Sequence, residues 1–260
     1  MIMKKPWIAG GALVALILIS TFLYIQQIQE SKEFERIAHL ESLTFSNTQE
    51  WDKEIYDRQQ AGIFYLNQVE RNSITLPLPP TNTSEVTKQE IQELLNLIEN
   101  RTLEKINEIN QELELRNFTF NSQTLGTLSE DKLYTTLLLS QALIAFDSII
   151  IEKKEYFDRV RPSLLDTTLT TVIDVPGHPS YPSGHASQAM FLALILGDLD
   201  SENSDIYIED AHSIAHNREI AGVHYKSDSE AGRILAREYH KLISLNQEYN
   251  NLLNQARAEW

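Results

Sequence analysis

Cysteine is absent from the 260 residues. Disulfides, thiol nucleophiles and cysteine-ligated zinc are therefore excluded, and the chain is compatible with an oxidising compartment. Glycine and proline are scarce, at nine and eight, which argues against a turn-rich all-β fold. Basic residues are in deficit: 22 Lys and Arg face 37 Asp and Glu, a formal charge of -15. Such a surface repels a phosphodiester backbone, so no nucleic-acid partner is expected. The acidity reads as solubility. It also sets a condition, because an anionic substrate would need a local cluster of positive charge. Uninterrupted apolar runs are rare too. Beyond the N-terminus none reaches the ~18 residues that span a bilayer. Leu133 to Ile151 comes nearest, but Gln141 and Asp147 interrupt it, and it reads as a buried helix.

The exception is Trp7 to Ile25, an uncharged run of 19 residues behind Lys4 and Lys5. At 1.5 Å per residue it just crosses a hydrocarbon core of roughly 30 Å. Lysines before it and Glu30 beyond predict an inside N-terminus and the rest of the chain outside. The run ends in Phe22, Leu23, Tyr24 and Ile25 with no small-residue cleavage site, which favours an uncleaved anchor in the inner membrane over a signal peptide. A cleaved, secreted form is the competing reading. Both place the remainder outside the cytoplasm, on the periplasmic or cell-surface side.

The rest reads as all-α, a single helical bundle after one N-terminal transmembrane helix. Residues 1–30 form the anchor, 31–75 a helical arm and 76–260 the main domain. Mixed charged and apolar spacing predicts helix over Ser31 to Arg71. A second helix starts near Ser84 or Thr87 and runs to about Leu115, with Val86, Ile91, Leu94, Leu95, Ile98, Leu103, Ile106 and Ile109 on one buried face. Asn117 to Gly126 reads as a loop. A long helix then starts at Ser129, with Glu130 and Asp131 in its first turn, and continues to about Asp158. Arg161 to Tyr181 is irregular, and a loop that long is usually functional. Pro182-Ser183-Gly184 opens a helix to about Leu196. Helices over Ile206 to Ile220 and Ser229 to Asn254 complete the chain.

Three short segments carry chemistry. In Lys154-EYFDRV-Arg161-Pro162 the two cations are seven apart, which on a continued helix projects both from one face. Pro182-Ser183-Gly184-His185 places a hydroxyl, an amide and an imidazole at a helix N-terminus, where anions bind. Arg218-EIAGV-His224-YKS-Asp228 adds an Arg, a His and a carboxylate. Two Arg and one Lys neutralise phosphate oxygens. One His becomes a nucleophile when a carboxylate orients its other nitrogen, and a second protonates the leaving oxygen.

These segments resemble the type 2 phosphatidic acid phosphatase superfamily, whose pattern is K-x6-R-P, then P-S-G-H, then S-R-x5-H-x3-D. Asn217 stands where the family usually has Ser. SYPSGHA at Ser180 to Ala186 and GVHYKSD at Gly222 to Asp228 are similar to the soluble class A bacterial acid phosphatase branch. The resemblance runs over roughly Leu76 to Tyr239. It implies a metal-independent hydrolase of phosphate monoesters with no cofactor. His224 would be the nucleophile, oriented by Asp228, and His185 the general acid. Lys154, Arg161, Ser183, the Gly184 amide and Arg218 would bind phosphate. Asn217 would tune one hydrogen bond of that pattern. The substrate would be a small phosphomonoester or a lipid phosphate; oligomeric state is not legible.

Two other functions fit the same letters. A vanadate-dependent haloperoxidase would hold vanadate where a phosphatase holds phosphate, with His224 as its ligand. A helical envelope protein could bind phosphate or lipid headgroups without turnover, but His185, His224 and Asp228 together weigh against it. Singly, each motif has a bland reading: a solvated Lys154/Arg161 face, a Ser183 cap, a core His224. His212 and His216, four apart, imitate a zinc pair without an evident third ligand. His178 sits in the irregular loop as a candidate lining residue, and Tyr181, Gly222 and Tyr225 read as structural.

Overall fold

A computed structural model describes residues 7–53, 55, 65–113 and 132–260, with side chains of the first helix described from residue 18 onward. The described residues form helices and no strand. They divide into two units, Met1–Ser42 and Leu43–Trp260.

The first unit is one helix, α1 (Trp7–Glu41). The apolar run and the charged stretch after it share this element without a break. Leu18, Ile19, Phe22 and Leu23 are exposed along it.

In the second unit short helices come first, α2 (Phe45–Thr48) and α3 (Gln68–Ser73). The helix expected from Ser31 to Arg71 therefore stops at Glu41. Thr44 starts α2 as an N-cap, its hydroxyl accepting from the Asn47 amide while the Asn47 side chain accepts from the Thr44 amide. Asn67 and Glu70 make the same reciprocal box at α3. Capping residues inside an amphipathic stretch divide it. The same mechanism splits the next expected helix. Ser84 caps α4 (Glu85–Glu99), and Thr102 caps α5 (Leu103–Gln111) after a break at Asn100.

Helix α6 (Leu133–Phe157) is the central element; the expected start at Ser129 and the loop Asn117 to Gly126 lie outside the described residues. By length and composition α6 could cross a membrane, but 61% of its apolar window is buried in the protein. Leu138, Leu139, Phe146 and Ile149 are enclosed by Met190, Phe191, Leu192 and Ile195 of α8 (Gly184–Leu199) and by Leu235 and Tyr239 of α10 (Lys226–Ile243). Phe146 stacks on Tyr239 at 4.7 Å and meets Phe191 at 4.6 Å. A Phe146→Ala change would cost about 3–5 kcal/mol in such surroundings.

Helix α8 packs against α9 (Ser204–Ile220), α10 and α6, and α11 (Gln247–Arg257) lies on α6. The expected helix from Ser229 to Asn254 is thus two, divided at Ser244 to Asn246, where Asn246 caps α11. Close packing at one point positions the site. A Cβ on Gly232 of α10 would stand 2.7 Å from the Ser183 carbonyl and 2.9 Å from Ser187 Oγ. Only glycine lets α10 approach the start of α8 this closely.

Candidate active site

Lys154 and Arg161 do not share a helix face. Helix α6 ends at Phe157, where Asp158 adopts a left-handed conformation (φ 46°) and its amide bonds to the Lys154 carbonyl at 2.9 Å. Asp tolerates this region better than most residues. Its side chain accepts from the Ser46 amide and hydroxyl, which fixes the turn. Arg161 lies beyond in an extended segment, and Pro162 begins the short helix α7 (Pro162–Leu165) instead of ending a long one. The turn still brings both cations to one place.

Lys154 is fully buried and donates to the carbonyls of Pro179 (2.7 Å) and Pro182 (2.6 Å). Burial, reinforced by Arg161, pushes its ammonium well below the usual range. Arg161 donates to the carbonyls of His178 (2.9 Å) and Val223 (2.8 Å), and its Nη1 lies 3.4 Å from His224 Nε2. Burial lowers its guanidinium to about 9. The irregular segment thus wraps the two cations with its main chain, satisfying charge with oriented carbonyl dipoles.

His224 Nδ1 sits 3.1 Å from Asp228 Oδ2. A carboxylate accepts only, so Nδ1 carries the proton and Nε2 keeps its lone pair. Burial drives the imidazole down to about 3, against the opposing pull of Asp228 and with the help of Arg161 and Lys154. Asp228 caps its own helix, accepting from the Tyr225 amide at 3.0 Å. Burial alone would raise its carboxyl; Arg159 and His224 hold it at about 2.

Arg159 is the principal residue that the motif reading passed over. Its Nη1 donates to Asp228 Oδ1 at 2.6 Å and its Nη2 to Glu90 at 3.2 Å, while its guanidinium lies 3.9 Å from the Tyr225 ring centroid. Glu90 accepts in turn from the Ser227 amide at 2.6 Å. A chain of alternating charge so runs from α4 to the imidazole. Tyr225, read as structural, is the apolar floor of that chain.

Ser183 caps α8, its hydroxyl accepting from the Ala186 amide at 3.4 Å, and its own amide donates to the Asp228 carbonyl at 3.0 Å. Gly184 opens the helix with Lys154 Cε 4.0 Å from where a Cβ would be. His185, in the same turn, has Nε2 3.2 Å from the Glu112 carbonyl, so that nitrogen donates. Burial and then Arg218 lower its imidazole to about 3. Arg218 bonds through Nη2 to the Ile109 carbonyl (3.0 Å) and Glu112 (2.6 Å). Its Nε and Nη1 are buried and have no hydrogen-bond partner among the described residues. Asn217 donates to Glu108 (2.9 Å) and Glu112 (2.7 Å).

A cavity of about 640 Å³ opens onto some of these groups. Lys154, His178, Gly184, His185, Arg218 and His224 line it, with apolar Ile55, Leu113, Ile150, Val172 and Ile173 and polar Asp147, Asp174 and Gln188 among the other lining residues. His178 hydrogen-bonds Arg161 Nη2 at 3.0 Å. His216 instead pairs with Glu219 on the same helix, and among the described residues no cluster of metal-ligating side chains occurs.

Lys154, Arg159, Arg161, Ser183, His185, Arg218, His224 and Asp228 lie within residues 132–251, the segment that matches the PAP2 superfamily, whereas Glu90, Glu108 and Glu112 precede it. The chain is 33% identical over 81 residues to a non-specific acid phosphatase of Providencia stuartii, covering 31% of this chain and 33% of the relative. It is 32% identical over 97 residues to a non-specific acid phosphatase of Salmonella typhimurium, covering 35% and 39%. The matched part thus spans about a third of the length of these curated relatives. Among solved structures, a bacterial vanadium-dependent iodoperoxidase is similar with a TM-score of 0.54 at 15% identity, over 68% of this chain and 53% of that one. That likeness establishes a shared fold.

Proposed function

We propose that this protein hydrolyses phosphate monoesters through a phosphohistidine, without a metal, in a domain held outside the cytoplasm by α1. One observation carries the reading. A neutral His224, its Nε2 lone pair beside Arg161, lines a cavity that also holds Lys154 and Arg218, and two buried N–H groups of Arg218 lack a partner among the described residues. Buried donors left unsatisfied cost about 1–3 kcal/mol each. A phosphate dianion would satisfy them.

In the proposed reaction His224 Nε2 attacks phosphorus while Asp228 stabilises the charge that develops on the ring. Arg161, Arg218, Lys154, Ser183 and the Gly184 amide hold the equatorial oxygens. His185 delivers a proton to the leaving oxygen and then takes one from the attacking water. Burial and neighbouring cations depress both imidazoles to about 3. A bound dianion reverses the sign of the local field, so substrate raises the proton affinity of His185 when an acid is needed. The phosphatases among the relatives support hydrolysis; the substrate is a small phosphomonoester or a lipid phosphate. The apolar run of α1, exposed from Leu18 onward, supports the anchor.

Rapid quench with radiolabelled substrate, followed by mapping of the acid-labile label, tests the reading. Label is expected on His224, with turnover intact in EDTA and inhibited by vanadate. Label on another residue, or turnover lost to chelator and restored by a divalent metal, would overturn it.

A further inference from the structure

The end of α5 touches both sides of the leaving-group chemistry through one residue. Glu112, the C-cap of α5, is buried and does not line the cavity. Its carboxylate accepts from Arg218 Nη2 at 2.6 Å, and its main-chain carbonyl accepts from His185 Nε2 at 3.2 Å. We infer that Glu112 is a positioning residue that sets the Arg218 fork and the His185 ring together, and that Asn217 holds Glu112 in place to do so. This rests on the cavity being an oxyanion site, as proposed above.

Guanidinium is planar, with its five N–H donors fixed relative to one another. Two bonds on Nη2, to Glu112 and to the Ile109 carbonyl, therefore orient the whole group. Nε and Nη1, without a partner among the described residues, are left to the ligand. Glu108 and Glu112 are four apart on adjoining turns, a spacing at which like charges repel. Asn217 relieves this with one amide group, whose two protons reach both carboxylates at 2.9 and 2.7 Å. A serine hydroxyl has a single proton and bridges only one of them. The departure at Asn217 so has a partner elsewhere in the chain: a pair of acids on α5 that an amide is suited to join. Asn217 acts on the cavity through Glu112 and Arg218, and is not itself a cavity-lining group.

The test compares orthovanadate binding and p-nitrophenyl phosphate kinetics for the full chain and for Glu112→Ala, Glu112→Gln and Asn217→Ser. Glu112→Ala is expected to weaken vanadate by about tenfold or more, the effect of losing one charge-assisted bond. Glu112→Gln should recover most of that loss, because its amide oxygen still accepts from Arg218. Asn217→Ser should fall between wild type and Glu112→Ala. In each case KM should rise more than kcat falls; Glu112→Ala, which leaves buried donors of Arg218 and Asn217 without an acceptor, should also lower the melting temperature, whereas Glu112→Gln and Asn217→Ser should stay close to wild type. A purely structural role would move melting temperature and leave the vanadate ranking flat. Vanadate affinity equal to or above wild type in folded Glu112→Ala would overturn the inference. If that variant does not fold, wild-type affinity in Asn217→Ser overturns it equally. The two readings separate cleanly. A wild type that binds vanadate with this ranking yet hydrolyses no phosphomonoester sinks the phosphatase; hydrolysis without the ranking sinks the role of Glu112.

Discussion

The two histidines of the cavity sit in opposite kinds of surroundings. His224 ends a relay in which each ionic partner is itself held: imidazole to Asp228, Asp228 to Arg159, Arg159 to Glu90, Glu90 to the Ser227 amide. His185 meets main chain at Glu112 and Leu113, and its neighbour Arg218 keeps two donors without a partner among the described residues. On one side the protein fixes the geometry in advance. On the other, under the proposed function, the substrate would complete it. That division suits a reaction whose first half needs a positioned lone pair and whose second half needs a proton affinity that changes when phosphate arrives.

Removing either histidine breaks the comparison most sharply. His224→Ala should abolish turnover and leave no acid-labile phosphoenzyme in a rapid-quench assay. His185→Ala should be selective. Alkyl phosphates, whose leaving oxygen needs a proton, should slow by about 10²–10⁴-fold. p-Nitrophenyl phosphate departs with little protonation and should retain much of its rate, with phosphoenzyme still detectable. Equal losses on both substrates would mean that His185 does something other than donate a proton.

Acidification probes the same contrast through stability. The folded histidines lie near 3 and the unfolded ones near ~6.5, so below ~6.5 the unfolded chain binds more protons than the folded one. Stability should therefore fall as pH drops from ~6.5 toward 3, by up to about 1.4 kcal/mol per pH unit for each ring. Asp228 acts lower down. Its contribution is complete above the unfolded value of ~3.9 and disappears as pH falls through about 2. Thermal melts across mildly acidic pH should show this slope in the empty protein. Added inorganic phosphate should flatten it, because a bound anion favours the charged rings. A melting temperature indifferent to pH and to phosphate would contradict the assignment of buried, neutral imidazoles.

The sequence made some of this legible and hid the rest for identifiable reasons. Short-range patterns worked where a motif and its partner lie on one element or turn: His224 and Asp228 are four apart, and Ser183 caps the helix that carries Gly184 and His185. Apolar periodicity gave the all-helical class, the interior position of α6 and much of the buried face of α4, but Val86 and Leu103, expected on that face, are exposed because each stands in the first turn of its helix. Helix ends were read less well. Thr44, Asn67, Thr102 and Asn246 cap helices inside stretches that look continuous by periodicity alone. Lys154 and Arg161 illustrate a different gap, since a left-handed Asp158 cannot be inferred from spacing. Arg159 and Glu90 were missed because their link spans 69 residues. A faint signal existed: with Arg218, the three cations within eight residues from Lys154 to Arg161 make four where the phosphate pattern uses three.

The smallest effect, and the most diagnostic of the relay, belongs to Arg159→Lys. The change keeps the positive charge, so Asp228 remains ionised and no carboxylate is left without a cation nearby. What disappears is shape. Arg159 uses separate nitrogens for Asp228 and Glu90 and lays its plane on Tyr225. Lysine is a point donor on a flexible stem; it cannot span both carboxylates in one geometry and has no flat face to stack. Loss of one charge-assisted bond and the stacking corresponds to about 1.5–3 kcal/mol. Only the part that reorients Asp228 reaches His224, so kcat/KM should fall by roughly tenfold, at 1.4 kcal/mol per tenfold. The loss should appear in the rate of phosphoenzyme formation and not in its hydrolysis, because Arg159 acts through the orientation of the nucleophile. Vanadate affinity should change less than in Glu112→Ala, since the Arg218 fork is untouched. Should Arg159→Lys instead slow hydrolysis of the phosphoenzyme while leaving its formation intact, the relay would serve the water-activating side, and the contrast between the two histidines would have been drawn the wrong way round.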